Sequence, residues 1–251
     1  DIWKSNRFEA QYSFGAPGAR GRLDATVAKL FRRYQNNNQE IRDNNRTILD
    51  GTFYARIMPK TSLLFEVNWQ GVDYVNQHQP VSTLDSQEWR VYGGLTWDTT
   101  AKTSGTVKLG YLSKDFNASE RSDVSDFGWE VELVWRPRTY SVLDLVTKRA
   151  PAETSEGISD TVVVSSIEGK WKHLWSQFIN SRITALATDD DYVGSTEGRQ
   201  DNRYQLGAGV FYTPKPWAEL GAEYRYETRD SNVELAEYTN NVFMLTLNGR
   251  F

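Results

Sequence analysis

The sequence predicts an all-β protein, a transmembrane antiparallel up-and-down β-barrel of which about 13 strands are visible. Apolar and polar residues alternate with a period of two in segment after segment. The apolar half of this pattern is strongly aromatic, since the chain has nine Trp and 13 Tyr. The connections between the segments alternate between short and long. Yet 25% of the residues are charged and the mean hydropathy is −0.62. A soluble globular protein seldom combines so polar a composition with so many aromatic residues.

The alternation is clearest between Phe127 and Trp135, where the odd positions are apolar or aromatic. Successive side chains of a strand point to opposite faces, so Glu130 and Glu132 lie opposite Trp129 and Trp135. One face suits lipid and the other suits water. The apolar positions of the predicted strands, in order, are Phe8/Ala10/Tyr12/Phe14, Leu23/Ala25/Val27, Leu49/Gly51/Phe53/Ala55/Ile57, Leu63/Phe65/Val67/Trp69, Trp89/Val91/Gly93/Leu95/Trp97, Val107/Leu109/Tyr111, Phe127 to Trp135, Leu143/Leu145, Val163/Ser165/Ile167/Gly169/Trp171, Ile179/Ser181/Ile183/Ala185, Tyr204/Leu206/Ala208/Val210/Tyr212, Leu220/Ala222/Tyr224/Tyr226 and Phe243/Leu245/Leu247/Phe251.

The second strand carries an exception, because Lys29 falls on the lipid side of its alternation. We expect a β-bulge between Ala28 and Leu30 to correct this, since one extra residue moves the following side chains to the other face.

Short and long connections alternate along the chain. The short ones are Gly15–Gly21, Met58–Ser62, Asp98–Ser104, Arg136–Ser141, Lys172–Gln177 and Thr213–Trp217, and the long polar ones are Gln35–Asn45, Asp73–Gln87, Phe116–Asp126, Lys148–Asp160, Thr188–Asn202 and Glu227–Thr239. Periplasmic turns are short and extracellular loops are long in outer-membrane barrels. An odd number of strands leaves such a barrel incomplete, so we expect further strands ahead of Asp1, or another chain, to complete an even-stranded barrel of about 14–18 strands.

Several other classes of protein fit poorly. No apolar run approaches the roughly 20 residues of a membrane helix. The net charge of −4 is spread along the chain, without the basic surface that nucleic acid needs. A soluble β-sandwich would have to hide nine Trp in a core about 10 Å thick. We expect one domain over residues 1–251.

The sequence offers little support for an enzyme. Its two histidines, His78 in a long loop and His173 in a short turn, are expected at opposite ends. No His occupies a lipid-facing position beside a Ser, as an outer-membrane phospholipase needs. A protease site of His78 with Asp73 or Asp85 is the remaining enzymatic alternative. Asp189 to Asp191 lack the spacing of a calcium loop and predict a solvated loop.

Residues on the water-facing side of the alternation are predicted to line a pore. Both signs of charge are present, which favours hydrogen bonding to hydroxyl-rich chains, although the same charges also suit pairing across strands. We expect Gly207 and Gly209 to make room for Phe211 or for a neighbouring backbone, and Tyr54 and Tyr92 to offer stacking surfaces for sugar rings. The pore-lining candidates are Arg7, Glu9, Asp50, Tyr54, Arg56, Glu66, Arg90, Tyr92, Lys108, Glu130, Glu132, Glu168, Lys170, Arg182, Arg203, Glu219, Glu223, Arg225, Glu227, Arg229, Asn248 and Arg250.

Aromatic residues on the other side predict the lipid-facing girdles of a barrel. Trp89 and Trp97 are eight residues apart on one strand face, which spans roughly 20 Å along the membrane normal. The girdle candidates are Trp89, Trp97, Trp129, Trp135, Trp171, Tyr212 and Phe251. No catalytic residue, metal site or cofactor is predicted.

The C-terminal part of the chain resembles the putative β-barrel porin 2 family. The resemblance rests on the Tyr-rich hairpin with its Arg-Asp-Ser-Asn loop, Tyr224–Asn232, and on the aromatic-terminated strand Tyr238–Phe251. The preceding stretch, Gly207–Trp217, is similar in style. The family includes outer-membrane proteins of exopolysaccharide operons, whose members are usually longer than this chain. The resemblance implies a bacterial outer-membrane protein that helps a secreted polysaccharide across the membrane beside a periplasmic polysaccharide-export protein, and it brings no catalytic residues.

The expected function is therefore a non-enzymatic outer-membrane channel that guides an exopolysaccharide. One alternative is a general or small-sugar diffusion porin, which a long loop folded into the pore would indicate. Another is a structural barrel that sheathes a partner protein. The expected partners are membrane lipid, lipopolysaccharide, the polysaccharide, the export protein and any chain that completes the barrel, but not nucleic acid.

Overall fold

The computed structural model describes residues 2–16, 18–76, 83–100, 102–154 and 159–249, which form thirteen β-strands. Neighbouring strands are hydrogen-bonded in the order in which they follow each other in the chain. The all-β, up-and-down prediction is therefore confirmed. The strands are β1 (Trp3–Phe14), β2 (Gly21–Tyr34), β3 (Asn44–Met58), β4 (Thr61–Tyr74), β5 (Ser86–Thr100), β6 (Thr103–Phe116), β7 (Val124–Arg138), β8 (Ser141–Ala152), β9 (Thr161–Leu174), β10 (Ile179–Val193), β11 (Gln200–Lys215), β12 (Ala218–Ser231) and β13 (Tyr238–Gly249).

The connections alternate in length as the sequence predicts. The short ones are 15–20, 59–60, 101–102, 139–140, 175–178 and 216–217, and the long ones are 35–43, 75–85, 117–123, 153–160, 194–199 and 232–237. Two 3₁₀ turns, Glu40–Arg42 and Glu234–Ala236, lie in long connections. Within the described ranges, no helix has the length and apolar character that crossing a bilayer requires.

Several strands continue further into the predicted long loops than expected. They are 12 to 16 residues long, whereas a tilted strand crosses the membrane in about 9–11 residues. Asp189, Asp190 and Asp191 belong to β10, so their prediction as a solvated loop is wrong. Asp190 is only 3% exposed. A strand with one polar face carries many polar residues, so polarity alone does not mark a loop.

The β1–β2 and β2–β3 ladders run without interruption past Lys29, so the expected bulge between Ala28 and Leu30 is absent. Lys29 pairs with Phe8 on one side and Thr47 on the other, and its ammonium donates to Thr47 Oγ1 at 2.6 Å. This hydrogen bond satisfies one of the N–H donors of the ammonium group on the apolar face. The strand therefore keeps the ladder hydrogen bonds that a bulge would interrupt.

The chain forms two compact units. Unit 1 comprises Asp1–Thr96, Val107–Trp129 and Glu153–Thr161, and unit 2 comprises Trp97–Thr106, Glu130–Ala152 and Val162–Phe251. Unit 1 buries a group of polar and apolar side chains on one face of β4 to β6, and unit 2 buries Phe211 and Asp201. The large hydrophobic side chains on the opposite face of both units are mostly exposed.

Candidate functional site: the polar face of the sheet

Each unit has a polar face and an apolar face. The pairing register of the strands places polar side chains beside polar ones and apolar side chains beside apolar ones. In unit 2, Glu219 pairs with Asn248 and Gly209 pairs with Glu223, which places polar residues beside one another. Tyr224 pairs with Phe243 on the other face, and their ring centroids are 4.8 Å apart. A slip of one residue would exchange the two faces, so the pairing itself separates polar from apolar residues.

The predicted pore-lining residues lie on strands of both units. In unit 1 they are Arg7 and Glu9 on β1, Asp50, Tyr54 and Arg56 on β3, Glu66 on β4, Arg90 and Tyr92 on β5, and Lys108 on β6; in unit 2 they are Glu130 and Glu132 on β7, Glu168 and Lys170 on β9, Arg182 on β10, Arg203 on β11, Glu219, Glu223, Arg225, Glu227 and Arg229 on β12, and Asn248 on β13. Arg250 lies outside the described residues. Exposure differs among them: Glu132, Lys170 and Arg225 are exposed, whereas Glu66 and Lys108 are half-buried.

The most buried charged group of unit 1 was not among the predicted residues. We call it the Glu153 cluster, and it consists of Arg46 (β3), Tyr74 (β4), Glu88 (β5), Lys114 (β6) and Glu153, which directly follows β8. The Lys114 ammonium lies 3.0 Å from Glu88 Oε1 and 2.8 Å from Glu153 Oε1. Tyr74 donates its hydroxyl to Glu153 Oε2 at 2.5 Å, and Arg46 Nη2 lies 3.9 Å from Glu153 Oε1. The Glu153 carboxylate therefore links side chains of β3 and β4 to Lys114 of β6, which is adjacent to neither strand.

The charges of this cluster compensate one another. The Lys114 side chain has 0% exposure, so its ammonium depends on the two carboxylates rather than on water. Burial alone would raise the pKa of the Glu153 carboxyl, but Lys114 and Arg46 outweigh it and lower that pKa below its ordinary value. Glu153 is therefore anionic at neutral pH and tightly held.

The far end of the same connection is held as well. Asp160 accepts a hydrogen bond from Arg121 Nη1 at 2.7 Å and from the Ser122 backbone N–H at 2.8 Å. Both donors belong to the β6–β7 connection, and Ser159 next to Asp160 is buried. The described ends of the β8–β9 connection are thus fixed to unit 1 at two points.

Packed side chains also cover the polar face of unit 1. The sequence predicts instead that the side chains of this face line an open pore. Tyr92 has 0% exposure and lies against Gly128 and Leu112. A Cβ at Gly128 would lie 2.7 Å from the Tyr92 hydroxyl. The expectation that Tyr92 offers a stacking surface for sugars is therefore wrong, because packing covers the ring. Tyr54 is half-buried beneath the Arg22 guanidinium, whose Cζ lies 4.5 Å from the ring centroid.

Three of the predicted charges of this face, Lys108, Glu66 and Arg90, have partners within unit 1. Lys108 Nζ lies 3.1 Å from Glu66 Oε2, although β5 separates their strands. Arg90 donates to Asn68 Oδ1 at 2.9 Å. Such pairs keep polar side chains satisfied where they are shielded from water.

Unit 2 presents a more open polar face. Arg182 reaches Glu219 Oε2 at 3.1 Å, and its guanidinium carbon lies 3.8 Å above the ring of Phe211. Phe211 fills the space over Gly209 and Gly221, where added Cβ atoms would lie 2.9 and 2.7 Å from its ring. The prediction that Gly209 makes room for Phe211 is confirmed. Gly207, in contrast, faces Thr184, whose Oγ1 lies 2.5 Å from a Cβ added at that position.

The long-connection end of unit 2 contains a second buried ionic group. Asp201 accepts hydrogen bonds from Arg199 at 2.9 and 2.6 Å and from the Ser231 hydroxyl at 2.6 Å. Arg203 Nε lies 2.8 Å from Asp190 Oδ2. Asp201 and Arg199 were not predicted, although Asp201 lies two residues before Arg203 and so shares its side of the alternation. The group holds the 194–199 connection against β11 and β12.

Aromatic side chains occupy the apolar face at the predicted girdle positions. Trp89 in unit 1 and Trp135 and Tyr212 in unit 2 are exposed, while Trp97, Trp129 and Trp171 are half-buried. The Trp171 indole N–H donates to Ser141 Oγ at 2.9 Å. Phe251 lies outside the described residues. Lipid contact of these side chains stays a prediction.

His173 belongs to β9 rather than to the predicted turn, because that strand continues to Leu174. Its ring is 4.3 Å from that of Trp175 and 5.3 Å from those of Trp171 and Tyr140. His78 lies outside the described residues. Among the residues that the structure covers, no three His, Asp or Glu side chains form a group that could hold a metal ion.

The comparisons with known proteins agree with this architecture. The putative β-barrel porin 2 family matches residues 19–251. No curated protein matches the chain. The FrpB iron transporter from Neisseria meningitidis has a similar fold, with 10% identity, a TM-score of 0.61, and coverage of 98% of this chain and 48% of that one. The copper transporter OprC shows 10% identity and a TM-score of 0.56, with coverage of 94% and 47%.

The chain thus spans about half the length of these two transporters. OmpT, an outer membrane protein of Vibrio cholerae, aligns at 10% identity over 99% of this chain and 96% of its own, but with a TM-score of 0.40. At these identities the structural likeness concerns the fold alone. The family match covers most of the chain, including the C-terminal hairpin on which the resemblance rests. The chain therefore belongs to the putative β-barrel porin 2 family and is a β-barrel protein of the bacterial outer membrane.

Proposed function

We propose that this chain lines a conduit that guides a hydroxyl-rich polymer, an exopolysaccharide, across the outer membrane. The observation that carries this proposal is the exposed polar face of unit 2, where charges of both signs and amides lie side by side. Glu219 is shared by Arg182 at 3.1 Å and Asn248 at 3.5 Å. Lys170 and Glu168 form an exposed pair at 2.8 Å.

A surface of this kind suits a neutral or weakly charged sugar chain. Exposed ion pairs are worth little by themselves, so their donors and acceptors exchange readily with the hydroxyls of a passing chain. A channel that selects small ions by charge usually carries rings of one sign. Mixed carboxylates, guanidiniums and amides instead offer many weak hydrogen bonds, so a polymer is solvated without being trapped.

The family resemblance supports the same substrate class and a periplasmic polysaccharide-export protein as partner. The proposal involves no catalysis and no cofactor. The iron and copper transport named for FrpB and OprC belongs to those proteins and does not enter the proposal, because the likeness to them extends to the fold alone.

Gene deletion combined with charge reversal tests the proposal. We expect deletion to abolish surface exopolysaccharide while small-solute uptake is unchanged. The variant Glu219→Lys/Glu223→Lys/Arg225→Glu should restore less export than the wild-type gene. The control reverses the exposed Glu197, Glu234 and Lys215 and should restore export fully. Heat-modifiable migration in gels would show that both variants fold. Normal export in the deletion strain, with loss of small-sugar uptake, would refute the proposal.

A diffusion porin for small sugars is the second candidate, and the Glu153 cluster favours it. Glu153, the residue that directly follows β8, contacts side chains of β3, β4 and β6 on the polar face of unit 1, and a loop that begins at this point would narrow a channel. In planar bilayers, Glu153→Gln should then raise single-channel conductance, while Glu197→Gln should not. An unchanged conductance in both variants would remove the support for a constriction at this loop.

A further inference from the structure

Three cations lie on the face of β1 and β2 in unit 1 that also carries Phe8, Val27 and Phe31. Lys4 and Arg33 pair directly across the two strands, and Lys29 lies on the same side four residues before Arg33. The next strand contributes Asn45 and Thr47. We call this group, together with Asn6 of β1, the basic patch.

No carboxylate of the described residues neutralises these cations. Arg33 donates to the Arg32 and Asn44 carbonyls at 2.7 and 3.0 Å and to Asn45 Oδ1 at 2.7 Å. All three acceptors are neutral. A guanidinium has five N–H donors and an ammonium has three, so Arg33 and Lys29 keep donors for a further partner. Asp73 is the nearest carboxylate of this face by register, since it pairs with Asn45, but it is exposed and makes no ion pair with the patch.

The position of the patch along β2 points to the level of the lipid headgroups. Arg33 is one residue from the end of β2, next to the long connection 35–43. Long connections lie on the extracellular side of outer-membrane barrels. A strand of 14 residues exceeds the roughly 9–11 that cross the bilayer, so its last residues reach the headgroup level. Phe8 and Phe31 lie within the patch, because Phe8 pairs with Lys29 and Phe31 lies between Lys29 and Arg33. Their rings form an edge-to-face pair with centroids 6.4 Å apart, and this pair suits acyl chains.

We propose that the basic patch binds the phosphates of a lipid A headgroup of lipopolysaccharide. Three cations without an ion pair, close together on a face directed at lipid, favour the binding of an anion. Guanidinium and ammonium groups both bind phosphate by charge-assisted hydrogen bonds. Asn6, Asn45 and Thr47 add neutral polar groups for the sugar hydroxyls of the headgroup.

The test measures lipid A binding to the full chain purified in neutral detergent, by native mass spectrometry and by thermal unfolding. Bisphosphorylated lipid A should bind to the wild type and raise its unfolding temperature. The variant Lys4→Gln/Lys29→Gln/Arg33→Gln should bind roughly a hundredfold more weakly, because three headgroup contacts are lost. Its unfolding temperature without lipid should fall only by the contribution of the hydrogen bonds of Lys29 and Arg33, since no ion pair is removed.

The control variant Lys170→Gln/Lys172→Gln/Arg225→Gln changes the charge equally on the polar face of unit 2 and should bind lipid A like the wild type. The single variant Lys29→Gln supplies the same comparison with one charge if the triple variant does not fold. Equal affinity of the patch variants and the wild type would overturn the proposal, as would equal losses in the control. Binding of dephosphorylated lipid A with unchanged affinity would show acyl-chain contact only. Equal stabilisation by inorganic phosphate would identify a phosphate site rather than a lipid site.

Discussion

Phe211 shows how single residues shape the polar face. It is 2% exposed on a face that is otherwise polar, and Arg182 covers its ring. The side chain fits only because Gly209 and Gly221 lack Cβ atoms on the neighbouring positions. An aromatic ring beneath a guanidinium holds the cation in place while its N–H groups remain directed at Glu219.

Gly221→Ala should destabilise the protein by about 1–3 kcal/mol, the usual cost of overpacking. The added Cβ would lie 2.4 Å from Thr246 Oγ1 and 2.7 Å from Phe211 Cδ1. Gly169→Ala is the matched control, because nothing lies within 4 Å of its added Cβ. Urea unfolding in lipid vesicles, followed by Trp fluorescence, measures both. Equal midpoints for the two variants would contradict the packing argument.

Glu153 should make stability depend on pH in a defined direction. Its pKa is lowered in the folded protein, so its ion pairs stabilise the fold fully above the ordinary glutamate pKa of about 4.3. This contribution is lost as the pH falls through the lowered, folded pKa. The stability difference between wild type and Glu153→Gln should thus be constant from pH 7 to about 5 and should shrink in more acidic solution.

Unfolding temperatures of the two proteins across this range check the expectation. Glu197→Gln, an exposed loop substitution, should run parallel to the wild type at every pH. A difference that grows on acidification would mean that the Glu153 pKa is raised rather than lowered.

At the scale of the strands, uninterrupted registers determine which side chains share a face. The β10–β11 ladder runs continuously from Ile179 to Asp191, and the β12–β13 ladder from Ala218 to Arg229. Lys29 shows that the ladder takes precedence over the alternation, since the strand retains its pairing and places a cation on the apolar face. A bulge would have cost backbone hydrogen bonds, whereas a lysine near the headgroups reaches a polar partner with its long side chain.

Single-cysteine labelling tests which face of these strands contacts lipid. The sequence has no Cys, so only the introduced thiol can react. In vesicles, a water-soluble thiol reagent should modify Glu223→Cys on the polar face and should leave Leu245→Cys on the apolar face unmodified. Both variants should react once the protein is unfolded in detergent. Modification of Leu245→Cys alone would mean that the two faces are reversed with respect to lipid.

At the scale of the molecule, the polar faces of the two units differ in how far their side chains are buried. Unit 1 closes its face with Tyr92, Leu112 and the Glu153 cluster, while unit 2 leaves Lys170 and Arg225 exposed. In the proposed conduit, a solute would meet the wall at the open face of unit 2, and the mixed charge of this face gives no strong preference for either sign of ion.

Ion selectivity measures this balance directly. The wild type should show a reversal potential near zero in a KCl gradient across a planar bilayer, because charges of both signs are exposed. Glu219→Gln/Glu223→Gln should shift it towards anion selectivity, and Arg225→Gln should shift it towards cations. Identical reversal potentials in all three proteins would mean that this face does not border the ion path.

The sequence alone determined the strands, the side of each strand that is polar, and the alternation of short and long connections. These features follow from local strand geometry, in which side chains alternate with a period of two. Positions such as Glu88 and Lys114 were within reach of the same rule, since they share the alternation of Arg90 and Lys108. The alternation does not predict which residues these side chains contact. Lys114 and Glu153 are 39 positions apart, and they meet because the residue that directly follows β8 lies against side chains of β3, β4 and β6. Such contacts depend on the curvature of the sheet and on loop placement, so only the tertiary structure decided which polar groups are buried and paired and which remain open to a solute.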